Sequence, residues 1–490
     1  MYKVSRRNFL IAKFIFLSSW LTPSLGLPYR KLNLSKIIKS NKFDKNTSFM
    51  AVDLRTNEII ERFNEDLKLP IASVTKMITA QYAINNLGLD FRFKTEFFYD
   101  GFIENGVLNG NIYIKGYGDP TLTTDSLDEI ANYYKENGIN KITGNLFYDD
   151  SHLPNLKYIN ESQLPQYAYN PGFGAINLNE NRILFKWKRK DNSKYDLTLF
   201  AKGIISNAKV PNIRINTDNN SGNVYKYTFE DEDFTETWSV NKRILGRRGS
   251  RWLPVRNGAF YSAQVFRDLL YQKGINIKKI IKRKVPSNAK LFKSHFSKKI
   301  SHILLDTLKH SKNMISETLG FKISKSKNRD LYDLDQSGVL MTKWFRDYVD
   351  SQSSLFLNHS GLTSGSFSSA ADFRKFLIKK EVKNKLLPLL KAIPIYTSKG
   401  KKRSIGNITV RGKSGTMHYI RGMSGYVCLD EKPIIGFAIF SADLLARRDN
   451  FSDKFERPKG ASAWLSRAVI QERKIIRGLC KHIQSNQELS

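Results

Sequence analysis

The sequence predicts an α/β (α+β) fold in which a helix-bearing domain is interrupted by a large, mainly β insert. Three observations predict it. Strand-like runs joined by short turns lie at residues 49–63 and 408–440; helical periodicity follows Ile71 and returns from Ile300; and residues 93–290 carry many short strand-like runs separated by Gly, Asn and Asp. A chain of 490 residues has room for roughly two to four domains. Its apolar and aromatic content is that of a folded globular protein, without a low-complexity block or repeat.

The first residues, Met1-Tyr-Lys-Val-Ser-Arg-Arg-Asn-Phe-Leu10, are basic, and an apolar run then continues to Leu21 before small residues near Gly26. This is the pattern of an export signal, residues 1–26, and it predicts a periplasmic protein. Ser5-Arg-Arg-Asn-Phe-Leu10 resembles the twin-arginine signal, and a general secretory signal that carries two arginines is the alternative. Ser24-Leu-Gly26 is a poor cleavage site, so retention of the run as an anchor stays open. A basic, polar segment then reaches about Lys45.

Residues 49–54 read as a strand, 55–58 as a turn and 59–63 as the returning strand, which delivers the chain to Pro70. Ile71-Ala-Ser-Val-Thr-Lys76 then opens a long amphipathic helix through Met77, Ile78, Tyr82, Ile84 and Leu87. In the insert, strands are expected at 110–120 and 144–151. Helices follow at 300–308, after the turn at 310–313, and around 340–348. Residues 408–416 form a strand, 425–429 and 434–440 a hairpin, and 461–483 a closing amphipathic helix. The domains are therefore 27–92 with 291–490, and the insert 93–290.

Net charge is +35. That balance fits a peripheral association with an anionic membrane or wall, but the lysines are spread evenly among frequent Asn and Ile, as base-composition bias would give. No nucleic-acid-binding signature accompanies them, so no nucleic-acid partner is expected. Neither the seven histidines nor Cys428 and Cys480 have metal-ligand spacing, and no metal or cofactor is expected. Whether the two cysteines pair stays open.

Spacing of three brings the Ser73 hydroxyl and the Lys76 amine together across one helical turn. A lysine whose pKa is lowered by desolvation or a second cation can take the proton of a serine nucleophile. Ser-x-x-Lys also begins at Ser206, Ser287, Ser324 and Ser398, in what read as polar or basic loops, whereas Ser73 follows a strand-like run and opens a helix. On this stretch alone, an N-cap serine with a solvated lysine is the competing reading. Two further elements favour the nucleophile. Ser311-Lys-Asn313 sets a hydroxyl and a carboxamide on a turn, and Lys413-Ser-Gly-Thr416 sets a cation and hydroxyls on a strand beside a glycine.

The ordered set resembles the Ser-x-x-Lys, Ser-x-Asn, Lys-Thr/Ser-Gly signature of penicillin-binding proteins and serine β-lactamases. The interval from Ser73 to Ser311 is more than twice that from Ser311 to Lys413, which is similar to the class C low-molecular-mass penicillin-binding proteins, the D-alanyl-D-alanine carboxypeptidase/endopeptidase family. Gly116-Tyr-Gly-Asp-Pro-Thr-Leu122, 144–151, Asn170-Pro-Gly-Phe-Gly-Ala175, Asn177-Leu-Asn-Glu-Asn181, 311–319 and Ser360-Gly-Leu-Thr363 extend the likeness. Lys312 stands where the family usually has aspartate, Ser414 where threonine is commoner, and Asn358-His-Ser-Gly-Leu-Thr363 where Asp-Gly-Ser-Gly-Leu-Ser is usual.

The resemblance implies a transpeptidase-like domain, an antiparallel sheet flanked by helices, that acts on peptidoglycan stem peptides and is inhibited by β-lactam antibiotics. It implies Ser73 as nucleophile, Lys76 as base, Ser311 as proton relay, Asn313 on the substrate amide, and Lys413 supplying charge. Ser414, Gly415 and Thr416 would bind substrate, and Asp149 of the insert would meet the free amine of the stem peptide's diamino acid. Turn aspartates before Ser151 are the other reading of Asp149. A β-lactamase would lack the long insert, and a non-catalytic peptidoglycan-binding protein would typically have lost Ser73, Lys76 or Lys413.

Overall fold

The computed structural model describes residues 32–190, 194–219, 224–230, 232, 234–450 and 458–487. The expected export signal, with Arg6 and Arg7, lies outside them. A six-stranded antiparallel sheet runs in the order Ile59–Phe63, Thr47–Asp53, Lys432–Ala442, Ile420–Leu429, Ile408–Met417, Lys391–Ala392. Both faces of its centre are covered. Because successive side chains point to opposite faces of a strand, Met50, Val52, Tyr426, Cys428, Ala438 and Phe440 join one hydrophobic core, while Phe49, Ala51, Met423, Val427, Phe437 and Ile439 join another. The hairpin between the last two long strands closes on Asp430 and Glu431, both left-handed at φ 46 and 60, so its turn is tighter than the expected four residues.

The first core holds the helix that carries Lys76, Thr75–Leu87, with the helices Ile300–His310, Asn313–Lys327 and Leu334–Val349 around it. This helix was expected to be amphipathic. It is instead buried continuously from Thr75 to Ile84, because three helices cover the side that faces away from the sheet. The second core holds the terminal helix, Ala461–Gln487, and a short helix, Ser35–Ser40, in the segment expected to be merely polar. Leu34 and Ile38 are buried there, and the Glu61 carboxylate accepts from the Leu34 and Ser35 N–H groups at 2.9 and 2.8 Å, fixing the start of that helix. Cys428 and Cys480 are free thiols buried in these two different cores, on opposite faces of one sheet.

Residues from Phe97 to Ile275 build a separate core. Its five-stranded sheet is ordered Ile280–Lys282, Leu146–Asp149, Ile112–Gly116, Lys94–Tyr99, Lys290–Phe296, and further sheets of four and three strands adjoin it. Two helices in this region, Thr124–Glu136 and Gly258–Gln272, were not anticipated from the sequence. Each has an ordinary N-cap, with Thr123 accepting from Ser126 N and Asn257 from Phe260 N. One expectation about the competing Ser-x-x-Lys runs is corrected as well: Ser324 is not in a loop but buried in the helix Asn313–Lys327. A small fourth core, with Leu153, Ile159 and Phe173 against Met314, Phe321 and Leu362, joins the two large bodies beside the cleft described next. No helix among the described residues is long and apolar enough to cross a membrane.

Candidate active site

Ser73 sits in a 3-10 turn, Ala72–Val74, that runs directly into the helix Thr75–Leu87. The flanking residues Ile71 and Val74 are apolar and cannot cap this end, so its N–H groups are left for other acceptors. Ala72 holds φ 46, a left-handed conformation that costs a non-glycine residue about 1 kcal/mol or more. Neighbouring strands and loops hold the turn closely. A Cβ on Gly415 would lie 2.6 Å from Ser73 N, and one on Gly361, itself at φ 73, would lie 2.0 Å from Ala72 O. Only glycine permits these two approaches.

Lys76 is 1% exposed. Its Nζ lies 2.9 Å from Ser73 Oγ and 2.7 Å from both Asn313 Oδ1 and Ser360 O, and as an ammonium it donates to all three. Burial, and then the nearby charge of Lys413, lower its pKa well below the ordinary lysine value, while Glu317 opposes them. Once the proton is gone, the amine lone pair can accept from the Ser73 hydroxyl. Glu317 is fully buried and accepts from the His359 and Ser360 N–H groups at 2.9 and 2.8 Å. It thereby fixes the loop whose carbonyl meets Lys76. Burial raises its own pKa.

Ser311 closes the helix Ile300–His310 in the left-handed conformation, φ 60, and Asn313 starts the next helix. The sharp turn points both side chains at the Ser73 turn. Lys413 Nζ donates to Ser311 Oγ at 3.1 Å and to Ser414 O at 2.6 Å. Burial, followed by the charges of Arg421 and Lys391, pushes its pKa down to about 7. Lys312 turns away from this cluster and pairs with Glu180 and Asp306 at 2.9 and 2.7 Å.

The structure thus brings two hydrogen-bonded groups, Ser73–Lys76–Asn313 and Ser311–Lys413, to one cleft, with Ser414, Gly415 and Thr416 on the strand along its edge. A cleft of about 780 Å³ opens on Ser73, Ser311, Asn313 and Thr416, and a recess of about 270 Å³ continues past Lys413 and Ser414. The far wall of the cleft comes from the other body: Glu161 to Pro165, Tyr167 and Tyr169. Asn313 Nδ2 donates to Tyr169 O at 2.9 Å, which ties that wall to the residues around Lys76.

Asp149 is the exception. It was expected to face the cleft, but it is 3% exposed, and its oxygens accept from Ser151 N, Ser151 Oγ and Val285 N and pair with Lys115 at 3.7 Å. It borders a separate cavity of about 280 Å³ with Lys282, Arg283 and Lys284. Its carboxylate is occupied as a turn acceptor, the second reading of the sequence. Sequence reasoning missed Glu317, and it missed Tyr169 and Arg447, which line or hold the cleft. The available signal was local: the likeness at 311–319 contains Glu317 and that at 170–175 begins beside Tyr169, whereas nothing in the sequence pointed to Arg447.

Residues 31–458 match the D-Ala-D-Ala carboxypeptidase 3 (S13) family. Over 320 residues the chain is 25% identical to the D-alanyl-D-alanine carboxypeptidase DacB of Haemophilus influenzae, covering 61% of this chain and 63% of that protein. Over 129 residues it is 28% identical to a D-alanyl-D-alanine carboxypeptidase of an Actinomadura species, covering 26% of this chain and 24% of that one. The chain therefore spans less than two thirds of the length of the curated relatives it matches. Among solved structures, penicillin binding protein 4 of Haemophilus influenzae matches with a TM-score of 0.70 and 20% identity over 92% of this chain and 99% of that one, a likeness of fold.

Proposed function

Because the chain belongs to the D-Ala-D-Ala carboxypeptidase 3 (S13) family, we propose that it is a serine D,D-peptidase of peptidoglycan. It hydrolyses the terminal D-Ala-D-Ala bond of stem peptides, the D-Ala-diamino acid cross-link, or both, and penicillin inhibits it. One observation carries this reading: a buried lysine with a strongly lowered pKa lies 2.9 Å from a serine on a strained turn.

Neutral Lys76 takes the proton as Ser73 Oγ attacks the carbonyl carbon of the penultimate D-alanine. The oxyanion forms beside the N–H groups of Ser73 and Thr416, and losing one such donor typically costs about 3–4 kcal/mol. Asn313 holds the substrate amide. As the C–N bond breaks, the leaving amine takes the Ser311 hydroxyl proton and Ser311 regains the one that Lys76 had accepted, so Lys76 is neutral again. Lys413 keeps Ser311 polarised and, with Ser414 and Thr416, attracts the terminal carboxylate. Water then attacks the acyl-serine ester as neutral Lys76 takes its proton, and Lys76 returns that proton to Ser73 Oγ as the acid leaves.

The domains in this reading are a discontinuous peptidase and an insert, expected at 27–92 with 291–490 and at 93–290; because the strand Lys290–Phe296 pairs with Lys94–Tyr99 in the insert's sheet, we draw the second boundary at about Ser297 instead. Residues 1–26 direct export to the periplasm, and the even basic charge favours peripheral contact with anionic wall or membrane. Replacing Arg6 and Arg7 by lysine blocks export if the route is the twin-arginine one, and normal export of that variant assigns the general secretory route instead. Labelling the purified protein with a fluorescent penicillin and mapping the labelled peptide tests the core of the proposal. Label is expected on Ser73 and is lost in Ser73→Ala; a label elsewhere, or undiminished labelling of the variant, defeats the assignment.

A further inference from the structure

Thr416 lies where the cleft and its recess meet. Directly across the hairpin, in register with it, stands Arg421. Arg421 lines neither space, yet its Nη1 donates to Thr416 Oγ1 at 2.8 Å. Its other donors, Nε and Nη2, grip both oxygens of Glu472 on the terminal helix at 2.7 and 2.8 Å. The pair is largely withdrawn from solvent, with side-chain exposures of 15% for Arg421 and 6% for Glu472. A bidentate clamp of this kind fixes the guanidinium plane, and therefore where the third donor points.

The chemical consequence falls on the Thr416 hydroxyl. A guanidinium has no acceptor, so it can only fill a lone pair of Oγ1, and the single hydroxyl proton must go elsewhere. Elsewhere is the cleft. Accepting from a charged donor also polarises the O–H bond and makes it a better donor in turn. Glu472 balances most of the guanidinium charge, so a substrate carboxylate meets Arg421 through the hydroxyl, while the remaining charge acts on Lys413 and is felt alike by every substrate. We propose that Arg421, clamped by Glu472, is a positioning residue that commits the Thr416 hydroxyl to donate to a substrate carboxylate, and so sets the preference for a free over a blocked C-terminus. The inference rests on the D,D-peptidase reading of the site.

The test uses the purified protein and two peptides, one ending in D-Ala-D-Ala with a free carboxylate and the same peptide as its terminal carboxamide. Arg421→Met is expected to lower kcat/KM on the free acid by roughly tenfold to a hundredfold, the range for a hydrogen bond to a charged group, mostly through KM. The carboxamide should lose clearly less than the free acid, since it offers no anion, and any loss common to both peptides reports the Arg421 charge that acts on Lys413. Thr416→Val should reproduce that loss, and the double variant should lose no more than either single one, because both act through one hydroxyl. Arg421→Lys, which keeps a donor without the fork, should recover part of the preference. Should Arg421→Met fail to fold, Glu472→Gln carries the test, since it loosens the clamp while keeping the arginine. Equal losses on both peptides, or losses that multiply in the double variant, overturn the inference and leave Arg421 a structural residue. A wild-type protein that cleaves neither peptide and forms no acyl-serine with penicillin would overturn the reading beneath it as well.

Discussion

Lys413 is 4% exposed, and its described partners are the Ser311 hydroxyl and the Ser414 carbonyl, neither of them a carboxylate. A cation held so costs the fold stability. With its pKa lowered to about 7 in the folded state from 10.5, the unfolded chain binds more protons between those values, so stability rises with pH across that window and the penalty is complete below it. Lys413→Met should therefore raise the free energy of unfolding most at acid pH, by on the order of a few kcal/mol, with the gain shrinking towards pH 10.5 and the melting temperature following it. A pH-independent gain, or none, would mean that burial of the charge is not what is being relieved. The same substitution should slow acylation by penicillin on the order of a hundredfold or more, as loss of proton-transfer machinery does. It should also move the acid limb of the acylation rate to higher pH, because the Lys413 charge is one of the causes that lower Lys76. At this scale the sequence was legible where partners lie on one motif. Ser73 and Lys76 share a helical turn, but Arg421 and Glu472 meet across 51 residues, and no spacing rule connects Glu317 to the His359 N–H group.

Among elements, the cleft wall is gathered by a buried arginine that reaches three of its carbonyl groups. Arg256, 1% exposed, donates to the carbonyl oxygens of Lys157, Pro165 and Asn170, and stacks on Tyr158 at 4.1 Å. Glu236, fully buried with its pKa pushed up to about 7, accepts from the Arg256 and Asn257 N–H groups and anchors that backbone. Arg256→Met leaves three carbonyls without a donor and Glu236 without its countercharge. We expect a loss of about 3–5 kcal/mol of stability, faster proteolysis within 157–170, and a rise in KM for peptide substrates that exceeds the change in kcat. Proteolysis at the wild-type rate would show that the wall stands without the arginine. None of this was legible beforehand, since Arg256 reaches a carbonyl 99 residues away. The strands and helices around the motifs were, because their periodicity is strong. The two helices of the insert escaped because β-favouring aromatics, Tyr133 and Tyr134 in one and Phe260 and Tyr261 in the other, mask the helical spacing.

Across the whole molecule, the chain leaves the body that carries Ser73 at Phe93 and returns at Ser297, and these two residues are hydrogen-bonded to each other in both directions, Phe93 N to Ser297 Oγ at 2.8 Å and Ser297 N to Phe93 O at 2.9 Å. Ends that close need only a short linker, and closing a short loop costs little chain entropy. The hydrophobic cores also separate there, since the buried residues from Phe97 to Ile275 form a cluster of their own. A variant in which a short glycine-serine linker replaces 94–296 should consequently fold, with cooperative loss of helical circular dichroism on heating. It should not be a good enzyme. Asn313 would lose Tyr169 as its acceptor, and Met314 and Phe321 would lose the insert residues that cover them, so the carboxamide that contacts Lys76 would no longer be held from both sides. Acylation of Ser73 by penicillin should fall at least roughly tenfold, the cost of one net hydrogen bond at a catalytic group. Failure to fold would show that the proposed domain division is wrong. A folded variant acylated at the wild-type rate would show that the insert only walls the cleft, leaving Asn313 placed by its own helix and by Lys76.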